Sequence, residues 1–333
     1  FAEIGGARGV TFWVVLVNAL VASILVARSE GRAWRSLAVA LTLVLVVPTS
    51  WSLWRARTLE LHAVATVAVV QPSIPQHLKL DGSAGLDSTL ASLDRLLPGI
   101  EPGSAALTVL PEMTFPAHTP LEEGSPEARR VQAYAREVGG SILFGALGAD
   151  EDGNGGVVFY NSAFLVEPQG LAAYRYDKRY LVPVAERSPL LPEVWLRKLP
   201  VHGGFGVGEG WPLAEVDGAL YGVLVCYESA YPQGARSFRR EGADVLVNIT
   251  NAAWFGREPW WSRTAALWQH PSHLVMRAIE NRVGVVRAAN TGISLFVDPV
   301  GRVRAALPLF QPGILTDTVY TTGVVTFYTR HGD

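Results

Sequence analysis

Gly222-Val223-Leu224-Val225-Cys226-Tyr227-Glu228-Ser229 is an apolar run that ends on the only cysteine of the chain. Leu220 to Val225 reads as a short buried strand, and a strand that stops abruptly can lift the next side chain to the rim of a sheet, as a nucleophile elbow does. A lone cysteine has no disulfide partner within the chain, so it is either a small buried apolar group or a reactive thiol. Two distant stretches end in the same way. Leu107-Thr-Val-Leu110 runs into Pro111-Glu112, and Leu171 to Tyr176 runs into Asp177-Lys178.

Outward from these three points the chain alternates strands and helices. Strands are expected over Val64–Val70, Ser141–Leu147, Val157–Val166, Val245–Ile249 and Val283–Ala289, with a hairpin over Ile293–Val297 and Val303–Leu307. Helices are expected over Leu86–Leu97, Pro126–Val138 and Ala265–Asn281, where apolar residues recur at helical spacing. With no low-complexity linker between them, these elements read as one α/β domain over residues 61–333.

Residues 1–60 have a different character. Val10–Ala27 and Ser36–Trp54 are uncharged, and each is long enough, or nearly so, to cross about 30 Å of hydrocarbon as a helix. The loop between them, Arg28 to Arg35, carries three arginines and one glutamate. That bias places it on the cytoplasmic side, and everything after Arg57 on the extracytoplasmic face of a bacterial inner membrane. Trp51 and Trp54 suit an interfacial belt. The formal net charge of -2 leaves no basic footprint for nucleic acid. The first residue is Phe1, not methionine, and the expectation is a fragment or a truncated relative of a longer membrane protein.

Chemistry in open α/β sheets collects beyond the carboxyl ends of strands. Glu112, Lys178 and Cys226 occupy three such positions and have complementary properties. A carboxylate can take the thiol proton, a thiolate can attack a carbonyl carbon, and an ammonium can hold the charge that develops on the carbonyl oxygen. No histidine sits at a strand end, which weakens a Cys-His scheme. His270 and His273 have helical spacing but lack a second ligand pair, and no metal site is expected. The Asn248-Ile-Thr250 sequon lies in a buried strand and is discounted. Gly204 to Gly210 reads as a mobile loop.

Glu, Lys and Cys in this order, each after a strand, resemble the carbon-nitrogen hydrolase (nitrilase) superfamily. Longer stretches resemble the apolipoprotein N-acyltransferase family within it. These are Gly9 to Asn18, Gln71 to Lys79, Leu110-Pro-Glu112, Tyr176 to Glu186, Val225-Cys-Tyr-Glu228, Val247 to Gly256 and Arg287 to Ile293. That family usually has an aspartate where Ala252 or Ala253 stands. The resemblance implies an αββα sandwich preceded by two transmembrane helices. It also implies transfer of a fatty acyl chain from a phospholipid, most often phosphatidylethanolamine, through a thioester on Cys226. The acceptor is the α-amine of a diacylglyceryl-cysteine on an apolipoprotein, and no cofactor is implied. By position Glu112 is the base and Lys178 the oxyanion partner, with Glu186, Tyr227, Glu228 and Trp254 around them. Trp195, Phe205 and Trp211 are expected to line a lid. Two rivals share these residues: a membrane-tethered amidase, in which water replaces the amine, and a non-catalytic lipid-binding or partner-binding relative.

Overall fold

The computed structural model describes residues 1–79, 81–115, 120–151, 156–183, 185–187, 204–257 and 259–332. The chain opens with two helices, α1 (Ala2–Ser29) and α2 (Arg35–Thr58), both long and apolar enough to cross a membrane. They contain the two uncharged runs and form a hairpin in which Trp13 Nε1 donates to Val44 O at 2.7 Å. Their outer faces are bare apolar side chains, among them Phe12, Val15, Leu25, Val39 and Leu43. An apolar face of that extent calls for a non-aqueous cover. Pro48 lies inside α2 without ending it.

The foot of the hairpin is fastened to the rest of the protein. Glu3, buried in the first turn of α1, accepts from Arg55 Nε of α2 at 2.9 Å and from Arg282 Nε at 2.7 Å. Trp51 Nε1 donates to the same carboxylate at 3.1 Å, and the Ala7 amide donates to Glu280 Oε1 at 2.7 Å. Gly6 has φ +59°, and a Cβ there would run into the Tyr328 ring. The arginine-bearing loop therefore lies at the end of the hairpin remote from the domain.

The domain is built on two six-stranded mixed sheets. One has the order β12-β1-β2-β3-β4-β5, with β1 (His62–Gln71), β2 (Leu107–Val109), β3 (Ser141–Glu151), β4 (Val157–Glu167), β5 (Gly170–Asp177) and β12 (Gly313–Thr321). The other has the order β11-β10-β9-β8-β7-β6, with β6 (Leu213–Val216), β7 (Ala219–Val225), β8 (Val245–Thr250), β9 (Gly284–Ala289), β10 (Leu295–Val297) and β11 (Val303–Ala306). The centre of each sheet is parallel, β1-β2-β3 in one and β7-β8-β9 in the other, and the rims are antiparallel.

Strand alternation decides what each face touches. In β1, Val67 and Val69 join a core shared with Val223, Val225, Val245, Val247 and Val285 of the other sheet. The intervening Ala68 and Val70 pack instead with Leu93 and Leu97, at and just beyond the end of α3 (Gly82–Leu96), and with Val131 and Val138 of α4 (Pro126–Val138). Helices α5 (Pro232–Arg240) and α6 (Ala266–Asn281) cover the outer face of the second sheet, giving the expected αββα layering. Each fully buried valine or leucine in these layers contributes roughly 1.5–3 kcal/mol of transfer free energy. α4 shows the local chemistry well. Ser125 caps it by accepting from the Ala128 amide, Pro126 starts it, and Gly139 ends it in the left-handed conformation.

Besides the short helices Gln76–Lys79 and Phe327–His331, two strands and one helix among the described residues were not foreseen. β6 is four residues long, β12 carries no clean alternation, and α5 is short and opens on Pro232 beside Gly234, so tertiary packing outweighs local signals there. The Gly204–Gly210 segment is a loop, as expected, with anchoring contacts. The Gly206 amide donates to Phe159 O at 2.8 Å, and the Gly208 amide to Lys178 O at 3.0 Å.

Candidate active site

The ends of β2, β5, β7 and β8 lie at one edge of the sandwich, because β3, β4 and β5 reverse twice and bring β5 back to the direction of β2. That edge carries Glu112, Lys178, Cys226 and Asn251. All are close to fully buried: Lys178 is 1% exposed, Glu112 6% and Cys226 7%.

The carboxylate of Glu112 is held at both oxygens. Asn161 Nδ2 donates to Oε1 at 2.7 Å, and the Asn251 amide donates to Oε2 at 2.7 Å. Lys178 Nζ stands 3.7 Å from Glu112 Oε1. The same ammonium is 2.8 Å from Glu186 Oε2 and donates to Glu186 Oε1 at 2.9 Å. Glu186 is fixed in turn by the Val182 amide at 2.8 Å and by Asn161 Nδ2 at 3.0 Å. The ammonium is thus paired with both carboxylates, where an unpaired buried charge would be costly. Burial alone lowers the Lys178 pKa, but Cys226, Glu112 and Glu186 outweigh it and hold the ammonium above the usual lysine range.

Cys226 follows β7 at φ +53°, a left-handed conformation that costs a non-glycine residue about 1–2 kcal/mol. Burial and then the charge of Glu112 push its thiol up to about 12, against the pull of Lys178. At neutral pH the resting group is therefore a thiol, and attack on a carbonyl must be coupled to proton removal.

Glu228 does not reach outward. It is fully buried, and it accepts from the Tyr176 hydroxyl at 2.8 Å and from the amides of Arg179 at 2.8 Å, Tyr180 at 3.1 Å and Val225 at 2.7 Å. It thereby stitches the Lys178 loop to the Cys226 turn. Its contacts are all within the chain, three donors on Oε1 and one on Oε2, and the side chain is closed to solvent. Burial raises its pKa above the ordinary glutamate value, against the amides and Lys178.

Tyr227 is 36% exposed beside Cys226, edge-on to Tyr231, and Trp254 is 60% exposed. Trp211 stands apart from any flap. It stacks on Tyr176, meets Phe238 edge-on with ring centroids 5.1 Å apart, and lies under the Arg179 guanidinium at 4.4 Å. Its ring is packed against the fold in this conformation. The Phe205 amide donates to Glu186 O at 3.3 Å, and Trp195 lies outside the described residues.

Several residues here escaped the sequence reading. Asn161 sits mid-strand in β4, and Asn251 acts through its backbone. Lys79 Nζ donates to Met113 O at 2.8 Å and Glu112 O at 3.3 Å, and burial pulls its pKa down to about 8. His270, weighed only as a metal ligand, places Nε2 3.0 Å from the Cys226 carbonyl oxygen. The family-like strings Gln71 to Lys79 and Val247 to Gly256 were the available signal, but nothing in them reveals which atom acts.

The carbon-nitrogen hydrolase family model matches residues 66–324. The apolipoprotein N-acyltransferase of Geobacter metallireducens is 36% identical over 340 residues, covering 100% of this chain and 63% of that protein. The enzyme of the same name from Chlorobaculum tepidum is 28% identical, with 100% and 66% covered, and that from Ralstonia nicotianae 33%, with 97% and 60%. The chain thus spans less than two thirds of the length of these relatives. Among solved structures, a carbon-nitrogen hydrolase superfamily protein from Xanthomonas campestris superposes with a TM-score of 0.56 at 20% identity, covering 78% of this chain and 91% of that one. An amidase from Nesterenkonia, with a covalent adduct on its active-site cysteine, gives 0.56 at 20% identity, with 81% and 94% covered. At that identity the likeness speaks to the fold.

Proposed function

The chain belongs to the carbon-nitrogen hydrolase family, and from that premise we propose that it is the catalytic part of an apolipoprotein N-acyltransferase working by a Glu112-Lys178-Cys226 triad. The observation that carries the reading is the meeting of a held carboxylate, a doubly paired ammonium and a strained thiol at one buried sheet edge, in a domain fastened to an apolar hairpin.

In the first half-reaction Cys226 Sγ attacks the acyl ester carbon of a phospholipid, with phosphatidylethanolamine as the expected donor. The thiol proton passes to Glu112, and Lys178 holds the negative oxygen of the tetrahedral intermediate. The intermediate collapses with loss of the lysophospholipid alkoxide, which takes the proton from Glu112, leaving a thioester. In the second half-reaction the α-amine of a diacylglyceryl-cysteine attacks the thioester carbon and gives a proton to Glu112. The C–S bond then breaks, the proton returns to sulfur, and an amide leaves. Glu186 positions Lys178, and Glu228 positions the loop that carries it.

The surroundings support a lipid donor. Trp254, Trp260 and Trp261 are 60%, 72% and 71% exposed in the segment that follows Asn251, whose amide holds Glu112. Exposed tryptophans of this density suit a lipid–water boundary. We assign the arginine-bearing loop to the cytoplasm and the domain to the extracytoplasmic face.

Intact-protein mass spectrometry tests the chemistry. Protein extracted from membranes is expected to carry a fatty-acyl mass on Cys226, lost in Cys226→Ala and discharged on addition of a diacylglyceryl-cysteine peptide. An acyl mass discharged equally well by water alone supports the amidase chemistry instead. For orientation, Glu241→Cys and Ser29→Cys are made singly in a Cys226→Ala background. An impermeant maleimide is expected to label the first in intact spheroplasts and the second only after permeabilisation, and the reverse pattern inverts the assignment.

A further inference from the structure

We infer that Arg287 is a positioning residue for the nucleophile: through Asn248 and His270 it brackets the Cys226 carbonyl and holds Cys226 in its left-handed backbone conformation. The inference rests on Cys226 being the nucleophile.

The bracket has two arms. From β9, Arg287 Nη1 donates to Asn248 Oδ1 of β8 at 2.6 Å, and Nη2 lies 3.2 Å from His270 Nδ1 of α6. Asn248 Nδ2 then donates to the Cys226 carbonyl at 3.1 Å, and His270 Nε2 reaches the same oxygen at 3.0 Å. The Ser229 hydroxyl adds a third donor at 3.3 Å. A carbonyl oxygen has two lone pairs, so three donors converging on one oxygen leave its direction little freedom. The guanidinium is itself fixed by Nε donating to Ile293 O at 3.0 Å.

Donor counting sets the tautomer. Arg287 can only donate, so His270 Nδ1 must accept, and Nε2–H must donate to Cys226. A protonated imidazole would put two donors face to face at Nδ1. Burial and the neighbouring guanidinium keep His270 well below its ordinary pKa, so the ring stays neutral.

Two features make more of this than packing. Arg287 is 1% exposed and, among the described residues, has no carboxylate within ion-pair distance. A buried cation without an acid partner is destabilising, and its charge is instead relayed along hydrogen bonds to one carbonyl. Burial lowers its pKa to about 10, which leaves it charged at neutral pH. The second feature is the trans peptide joining residues 226 and 227. Fixing the Cys226 carbonyl on one side fixes the Tyr227 N–H on the other, so the bracket also sets the geometry of the turn that presents the thiol.

The test compares His270→Gln, His270→Phe and Arg287→Lys in membrane-extracted protein, with vesicles of phosphatidylethanolamine as acyl donor and thioester formation on Cys226 followed by mass spectrometry. Glutamine keeps an acceptor and a donor, phenylalanine keeps only the bulk, and lysine keeps the charge but cannot bond both arms. His270→Phe is expected to lower the maximal acylation rate at least about tenfold at unchanged half-saturating lipid, the worth of one lost buried hydrogen bond. His270→Gln is expected to stay within about threefold of wild type, and Arg287→Lys to fall at least as far as His270→Phe. Equal loss in Gln and Phe variants, or wild-type rates in both His270→Phe and Arg287→Lys, overturns the inference. A wild-type protein that never acquires an acyl mass on Cys226 overturns the nucleophile reading itself, and the bracket's role with it.

Discussion

Glu112→Gln separates two opposed effects of one carboxylate. Its charge raises the Cys226 pKa, so neutralising it makes the thiolate easier to form. Its basicity removes the thiol proton during attack, and that is lost. A thiol with a pKa of about 12 is ionised in only about one molecule in 10⁵ at pH 7. Each unit by which the substitution lowers that pKa returns about tenfold, against the roughly 10²–10⁴-fold that a placed general base supplies. Loss of the base wins, and for a one-unit fall in the thiol pKa acylation of Cys226 at pH 7 is expected to drop about 10- to 1,000-fold. The exchange has a local cost: Glu112 takes a donor at each oxygen, so the new glutamine turns its NH2 toward either Asn161 Nδ2 or the Asn251 amide, at about 1–3 kcal/mol. The signature is the pH profile: the variant's rate should climb about tenfold per pH unit up to pH 10 as the thiolate titrates, while the wild-type rate, carried by carboxylate and un-ionised thiol together, does not follow that line. The assay is stopped-time mass spectrometry of the acyl-enzyme across a pH series. Wild-type rates for Glu112→Gln at pH 7, or a flat profile in the variant, would refute the assignment of Glu112 as base.

Glu228→Gln turns one amide donor toward the Val225 N–H and is expected to destabilise the protein by about 1–3 kcal/mol, read by thermal unfolding in detergent. Because the folded Glu228 pKa is raised, the native state binds more protons than the unfolded chain between the ordinary glutamate value and the raised one. Stability from this group therefore falls as pH rises through that window, and the glutamine variant should lack that part of the slope. Gly208→Ala places a Cβ against the Asp177 backbone carbonyl, and it is expected to displace Lys178 and slow acylation at least about tenfold while the protein still folds; an unchanged rate would show that the loop has slack. Trp260→Ala with Trp261→Ala should weaken binding to phospholipid vesicles several-fold in a sedimentation assay, with iodoacetamide alkylation of Cys226 unaffected, since both rings are exposed and distinct from the triad.

The framework was legible because the strands that build it are short uninterrupted apolar runs ending in charged or polar residues, and β2, β5, β7 and β8 lie where those runs lie. Their common edge followed from the rule for open sheets, and with it the neighbourhood of Glu112, Lys178 and Cys226. What stayed hidden acts through geometry rather than residue type. Asn161 serves two carboxylates from the middle of a strand whose pattern reads only as core. The Asn251 contribution to Glu112 is a backbone amide, which any residue supplies. Glu228 was placed near the triad by resemblance alone, and its side chain turns back to accept from the Val225 amide. His270 and Arg287 are 17 residues apart and meet only because α6 runs back across the outer face of the second sheet before β9 begins.

The carboxylate of Glu3 is gripped at once by an arginine of the returning helix and an arginine of the α/β domain. A head on a slack stalk would sample many altitudes above a lipid leaflet; one pinned at the ankle keeps to a single level. Reach is then a fixed dimension of the molecule, and under the proposed acyl transfer an ester or amine would be selected by how high it rides above the hydrocarbon as much as by its shape.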